Sequence, residues 1–303
     1  MYIIYDLTQL FYACIPLKIQ QSVEMTKNNK NLADWIGNSE KRSEIIHQQS
    51  LDGFAALLDQ DAPASSFVPA GGHWMYFLST DKQSNLAEDG HSYKGSFLPP
   101  VDLPRRMWAG GRLTFDRPIK AGDAIEKIST VKSVAEKAGR TGNLVFVTVE
   151  HDLFGDGGRY IHEEHDIVYR EAANPNAAAT QPVQAPSDAV WEEVIKPDPV
   201  MLFRYSALTY NGHRIHYDRD YVTDVEGYPG LIVHGPLIGT LLMKLAIDNM
   251  GGKSLKKFEF RNSSPIFDTA SFTICGKKID DTRCEVWAKG PKGELAVMAT
   301  AQF

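Results

Sequence analysis

The sequence predicts an α+β fold of the double hot-dog kind, two antiparallel sheets each wrapped around a central helix, and three observations carry that reading. The chain repeats itself weakly: Phe115-Asp-Arg-Pro118-Ile119-Lys-Ala-Gly-Asp123 resembles Phe260-Arg-Asn-Ser-Ser-Pro265-Ile266-Phe-Asp268. A helix candidate at 236–250 is apolar on nearly every side. Strand-like runs separated by glycine-rich turns close each half.

The helix is delimited by Pro236 at its first position and by Gly251-Gly252 beyond its end. Leu237, Ile238, Leu241, Leu242, Met243, Leu245, Ala246 and Ile247 leave it no polar face, so it belongs inside a core. In half one, 72–80 supplies the matching helix only in part, and the first repeat reads as degenerate. The strand candidates are 144–151 and 160–170 in half one and 282–289 and 294–303 in half two. In the last of these Leu295, Val297, Ala299, Ala301 and Phe303 alternate onto one face. Gly155-Asp-Gly-Gly158 and Gly290-Pro-Lys-Gly293 mark turns.

A stretch rich in Ala, Pro, Asn and Gln at 171–190 has no periodicity and reads as a linker. The expected organisation is a partly disordered N-terminal extension at 1–33, a degenerate hot-dog domain at 34–170, the linker, and a catalytic hot-dog domain at 191–303. Met25, followed by polar residues, is an alternative start to Met1.

With 303 residues the chain has room for two domains, and 43% hydrophobic with 23% charged residues excludes wholesale disorder and coiled-coil or collagen-like classes. Lys+Arg 32 against Asp+Glu 38 gives a net charge of −6, which offers nucleic acid no basic face. The apolar start is interrupted by Asp6, Thr8, Gln9, Pro16 and Lys18, too often for a membrane span. Cys14, Cys275 and Cys284 show neither a disulfide framework nor thiolate-zinc spacing, so a reducing cytoplasm is expected.

The densest chemistry follows a short helix at 202–208, where Asn211, His213, Arg214, His216, Tyr217, Asp218 and Asp220 fall within ten positions. His234 and Gly235 then open the buried helix. Taken alone, Asn211-Gly212 is a common turn, His216 a histidine able to satisfy a core, and Arg105-Arg106 a solvated pair beside Met107 and Trp108. His213, His216 and His234 fit no standard zinc spacing, and no metal is expected.

At His216-x-Asp218 and His234-Gly235 the sequence resembles the MaoC-like hydratases and dehydratases of acyl thioesters, whose pattern is Ser-Gly-Asp-x-Asn-Pro-Ile-His-x-Asp with a later His-Gly. The family's catalytic Asp falls on Asn211 and its Asn before Pro on His213. The run from Thr209 to Asp218, and that from Phe97 through Arg105, Arg106 and Trp108 to Gly111, are similar to a subgroup, the mesaconyl-CoA (3-methylfumaryl-CoA) and itaconyl-CoA hydratases with an N-terminal dehydratase-like domain. Asp34-Trp-Ile-Gly37 and Asp89-Gly-His91 belong to the same likeness, which runs from about residue 34 to the C-terminus.

The resemblance implies a hydro-lyase that adds water reversibly to a branched enoyl-CoA, foremost mesaconyl-CoA to a malyl-type hydroxyacyl-CoA. Itaconyl-CoA hydratase and general 3-hydroxyacyl-thioester dehydratase are the alternatives within the class, and a hot-dog thioesterase or acyl-CoA-binding protein outside it. Such a reaction needs a proton acceptor, a group to aim the water and donors for the enolate oxygen. His216 suits the first because imidazole titrates near neutrality. Asn211 can orient the water without taking its proton, and the Gly235 N–H at a helix start can meet the thioester oxygen. A substrate carboxylate would call for a guanidinium, with Arg105, Arg106 and Arg214 as candidates. Trp108, His213 and His234 complete the expected substrate-binding set. No cofactor is expected beyond coenzyme A as part of the substrate, and the family points to a homodimer.

Overall fold

The repeat seen in the sequence is a repeat of topology. The computed structural model describes residues 31–61, 67–139, 142–171 and 181–303; the expected extension as far as residue 30 and the linker at 172–180 lie outside them. Half one contributes β1 (Ser39–Ile45), α1 (Gln48–Leu57), β2 (Arg105–Phe115), β3 (Ala124–Gly139), β4 (Gly142–Gly155) and β5 (Gly158–Arg170). Half two contributes β6 (Trp191–Ile195), α2 (Pro199–Thr209), α3 (Gly235–Asn249), β7 (Lys257–Asn262), β8 (Phe272–Asp280), β9 (Arg283–Lys289) and β10 (Leu295–Gln302).

The strands form one ten-stranded sheet in the order β1-β3-β4-β5-β2-β7-β10-β9-β8-β6. Each half therefore runs in the same internal order, and the two predicted sheets are joined edge to edge through β2 and β7. That junction explains the run Trp108-Ala-Gly-Gly111. A Cβ on Gly110 would stand 2.4 Å from the Phe260 carbonyl oxygen, and one on Gly111 2.8 Å from Phe260 Cε1. Glycine lets the strands close over the Phe260 ring. The register of β2 against β5 shifts between Trp108 and Gly110, the bulge that re-aims the strand at this point.

The apolar helix expected at 236–250 is α3, and its residues from Leu237 to Met243 are buried without a break. It lies across β7–β10 and closes the principal core with Phe258, Phe260, Val286 and Val297. Half one repeats the approach to it. The Val68 N–H donates to Ile119 O at 2.8 Å, as the Val233 N–H donates to Ile266 O at 2.8 Å. Beyond Val233 comes the 15-residue α3, whereas beyond Val68 comes one 3-10 turn of 4 residues, Gly72–Met75. The helix expected in part at 72–80 is thus reduced to that turn.

The helix read at 202–208 is α2, started by Pro199 and by the Asp198 carboxylate, which accepts from the Met201 N–H at 2.8 Å. Its partner α1 and the edge strands β1 and β6 carried no readable pattern. In β10 the expected alternation holds for Val297, Ala299 and Ala301, but the register shifts between Leu295 and Val297. Leu295 consequently packs on the opposite side of the sheet with Trp287 and Cys275. The described end of the linker is pinned to the sheet: the Ala185 N–H donates to Gly293 O and the Leu295 N–H to Val183 O, at 2.9 and 2.8 Å. Among the described residues no helix is long and apolar enough to cross a membrane.

Gly110→Ala forces a methyl group into the β2–β7 junction and is expected to destabilise the protein by at least about 2 kcal/mol, measured by urea unfolding. The same change at the open turn residue Gly122 is the control: a Cβ there meets nothing within 4 Å, although its positive φ costs some strain of its own.

Candidate active site

The motif loop begins where α2 ends. Tyr210 takes a left-handed conformation (φ 48°), and the Asn211 N–H donates back to Ser206 O at 2.9 Å. The Asn211 Oδ1 accepts from the His213 N–H at 3.0 Å, so the turn read as the simpler role of Asn211 is present. Its amide NH₂ stays uncommitted among the described residues. The Arg214 Nε and Nη2 donate to Asp218 Oδ2 at 2.9 and 2.8 Å, and its guanidinium lies 4.1 Å from the Tyr221 ring centre.

Half one clamps this loop from outside. Asp89 O accepts from the Arg214 N–H at 2.9 Å, and Glu88 O accepts from Arg214 Nη1 at 3.2 Å. Gly90, at φ +89°, lies so near that a Cβ there would stand 1.9 Å from Gly212 O. The motif Asp89-Gly-His91, quoted above without a role, is the piece that fixes the loop.

The loop delivers His216 into a buried position, 7% exposed, at the end of the 3-10 turn Arg214–His216. Its Nδ1 lies 2.7 Å from Ile232 O. A carbonyl only accepts, so Nδ1 carries the proton and Nε2 presents a lone pair. Burial, reinforced by His213 alongside, pushes the His216 pKa down to about 3, which keeps the ring neutral.

His234 lies directly against His216, the ring centres 3.7 Å apart and the planes 17° from parallel. Its Nε2 hydrogen-bonds Ser206 Oγ at 2.8 Å, and the residue is fully buried. The structure thus places His234 as a flat support under the His216 ring, with its Nδ1 buried and without a partner among the described residues. His213 stands edge-on to His216 at 5.6 Å and against His91 at 4.1 Å. His91 Nδ1 in turn bonds Asp89 Oδ2 at 3.0 Å. Burial and His91 push His213 down to about 3.

Gly235, next to His234, opens α3, and its N–H meets no acceptor among the described residues. A Cβ there would approach Asn262 Nδ2 at 3.4 Å and Trp108 Cε3 at 3.7 Å, so these two side chains flank it. Asn262 Nδ2 donates to Trp108 O at 2.7 Å, while Trp108 Nε1 and Asn262 Oδ1 are buried without partners. The His216–His234 stack thus leads into the helix start, which an indole with a free donor flanks.

The arginines separate cleanly. Arg214 is committed to the loop, and Arg105 donates to Glu226 O at 3.0 Å while lying 5.4 Å from the Tyr228 ring centre. Arg106 has no hydrogen-bond or ion-pair partner among the described residues, and its charge bears on His91 and His213. Asp89, His91 and His213 bring three donor atoms within 4.8 Å of one another, as do Glu150, His162 and Glu164 elsewhere among the described residues, but Arg106 beside the first set opposes a cation there. Asp89, His91 and Asn262 were missed as site residues; of these Asp89 and His91 alone carried a sequence signal.

Comparison with known proteins identifies the family. The model of hydroxyacyl-thioester dehydratase type 2 matches residues 71–268. The chain belongs to that family. Mesaconyl-C(4)-CoA hydratase of Chloroflexus aurantiacus is 43% identical over 274 residues, covering 89% of this chain and 96% of that protein. The mitochondrial hydroxyacyl-thioester dehydratase type 2 of Schizosaccharomyces pombe is 29% identical over 248 residues, covering 73% and 81%. Among solved structures a MaoC-like dehydratase superposes with a TM-score of 0.68 at 14% identity over 90% of this chain and 99% of the other. A second, from Phytophthora capsici, gives 0.66 at 14%, covering 90% and 97%. These likenesses establish the hot-dog fold. As a type 2 dehydratase the chain is a hydro-lyase of acyl thioesters.

The buried imidazoles of the site fix the sign of its pH response. His216 and His213 are neutral in the folded protein down to about pH 3, but take up a proton in the unfolded chain below about 6.5. Their contribution to stability is complete above pH 6.5 and is lost as pH falls towards 3. The urea midpoint is expected to drop between pH 7 and pH 5, and less steeply in His216→Gln; equal slopes in both proteins would show that His216 is not the buried neutral group described.

Proposed function

We propose that the protein hydrates a branched, carboxylate-bearing enoyl-CoA of the mesaconyl-CoA type to the corresponding malyl-type hydroxyacyl-CoA, with His216 as acid and base. The observation that carries this reading is the 2.7 Å contact of His216 Nδ1 with Ile232 O, which leaves Nε2 as an acceptor in a ring stacked on His234, the residue before Gly235 and the start of α3. The 43% identity to a mesaconyl-C(4)-CoA hydratase supports the acyl group.

The chemistry follows from these groups. Nε2 takes a proton from water as the water oxygen bonds to the β-carbon. The π electrons of the C=C bond move to the thioester oxygen, where the Gly235 N–H and the start of α3 meet the developing charge. The protonated Nε2 then returns its proton to the α-carbon, so that one C–O and one C–H bond replace the π bond and the base is regenerated. Asn211 aims the water through its amide NH₂, its oxygen being held by the His213 N–H. Since an amide takes no proton, the whole transfer falls on His216. Asp89, His91 and His213 hold the loop in place. Arg106, on the side of His91 and His213, meets the anionic coenzyme portion of the thioester.

Loss of enoyl-thioester absorbance with mesaconyl-CoA, itaconyl-CoA and crotonyl-CoA in parallel, with thiol release as the control, tests the reading. Preferential hydration of mesaconyl-CoA is expected; thiol release without hydration would make the protein a thioesterase, and preference for crotonyl-CoA a general dehydratase. His216→Ala is expected to lower kcat about 10³-fold and Asn211→Ala about 10-fold to 100-fold, both folded by circular dichroism. Arg106→Gln is expected to raise KM for mesaconyl-CoA and crotonyl-CoA alike, since both carry the same coenzyme.

A further inference from the structure

Where half two has α3, half one has the single turn Gly72–Met75, and beside that turn lies a cavity of about 200 Å³. Strands β3–β5 provide Lys127, His151 and Glu163, the segment after the turn provides Phe77, and Thr209 at the end of α2 reaches the rim. The cavity adjoins the site just described through Trp108, whose ring lies 4.6 Å from His165 and 5.5 Å from Trp74, both of which line the cavity.

Its polar groups are committed in an uneven way. Glu163, 2% exposed, accepts from Trp74 Nε1 at 2.8 Å, pairs with His73 Nε2 at 3.0 Å and is also bonded by His165 Nε2. Burial works to raise this carboxyl, and His165 and His73 overturn that and hold it well below the usual range. Its charge is spent inside the wall. Glu44 accepts from the Phe77 N–H, and Glu40 pairs with Arg42 at 3.4 Å. Lys127 is left over. Among the described residues no carboxylate reaches ion-pair distance of its ammonium, which is half-buried 5.3 Å from the Phe77 ring centre and feels Glu163, Glu40 and Glu44 only from farther off. Burial works against a charge held in this way, and an anion brought to ion-pair distance would relieve it.

The wall next to it is rigid. Phe77 holds a left-handed backbone (φ 58°) that a bulky residue rarely adopts, and Arg42 Nη1 donates to Leu78 O at 3.1 Å to secure it. His151, its Nδ1 held at 2.8 Å by Ser129 Oγ, adds a neutral ring whose other nitrogen has no hydrogen-bond partner among the described residues. A wall that mixes the Trp74, Phe77, Leu78 and Leu153 side chains with neutral imidazole and one ammonium outside any ion pair suits a short acyl group ending in a carboxylate.

We propose that this cavity is the acyl-end subsite and that Lys127 is the counter-ion of the substrate's carboxylate, an assignment that rests on the hydratase reading above. It moves carboxylate recognition away from Arg105, Arg106 and Arg214 to the opposite half of the chain.

The test is binding of two unreactive saturated thioesters, methylsuccinyl-CoA and butyryl-CoA, to the full chain by calorimetry. The first carries the carboxylate and the second does not. The wild type is expected to favour methylsuccinyl-CoA, and Lys127→Met to reduce that preference about 10-fold to 100-fold, with Lys127→Arg restoring part of it. Lys127→Gln, which keeps the length and polarity, replaces Lys127→Met if the latter melts early, with the same expected loss. An unchanged preference in these variants overturns the subsite, as does a wild type with no preference. A wild type that discriminates the two ligands yet hydrates none of the enoyl-CoA substrates keeps the subsite and loses the proposed reaction.

Discussion

Five residue pairs, from Gly110↔Arg261 to Thr114↔Lys257, join two five-stranded halves into one sheet, and the active site is assembled around that junction. Just before the junction β2 carries Arg106 and Trp108; at its far side β7 ends in Asn262, which grips the Trp108 carbonyl at 2.7 Å. That grip sets the indole beside Gly235 at the start of α3. His216 arrives from half two and the clamp on its loop, Asp89-Gly-His91, from half one. A sheet that slipped by one residue at β2–β7 would turn Trp108 to the opposite face, away from Gly235.

The halves share a topology but use opposite chemistry at their centres. In half two an apolar helix fills the space over the sheet, and its stability comes from burying Leu, Met and Ile side chains. In half one the helix is cut to one turn, and its residues His73 and Trp74 reach down to a buried carboxylate, Glu163. A carboxylate without donors there would be strongly destabilising; with three it is a rigid strut. The exchange replaces close packing with a shaped opening next to Trp108.

Much of this was legible in the sequence where a pattern had a single physical meaning. The helix at 236–250 had to be buried because no face of it is polar, and the two Pro-Ile copies marked equivalent positions in the two halves. The loop from Asn211 to Asp218 announced itself by its density of polar groups. The arrangement around it was less readable: the stacking of His234 on His216 depends on how α3 enters the core. Arg105 and Arg214 could not be told from Arg106, since their partners Glu226 and Asp218 are defined by folding. Short edge strands β1 and β6, helix α1 and the Glu163 network left no periodic trace. Leu295 obeyed the alternation rule in the sequence and escaped it through a bulge that no single residue type encodes.

The tautomer of His216 is imposed by a main-chain carbonyl, that of Ile232, whose own N–H donates to Ile215 O at 3.0 Å. In many acid–base sites a neighbouring carboxylate holds the imidazole, and one substitution there silences or inverts it. Here no side-chain replacement at position 232 or 215 removes the acceptor. The tautomer of His216 is consequently insulated from drift in its surroundings, and side chains such as Asn211 and His213 can change while Nε2 remains the nitrogen with the free lone pair.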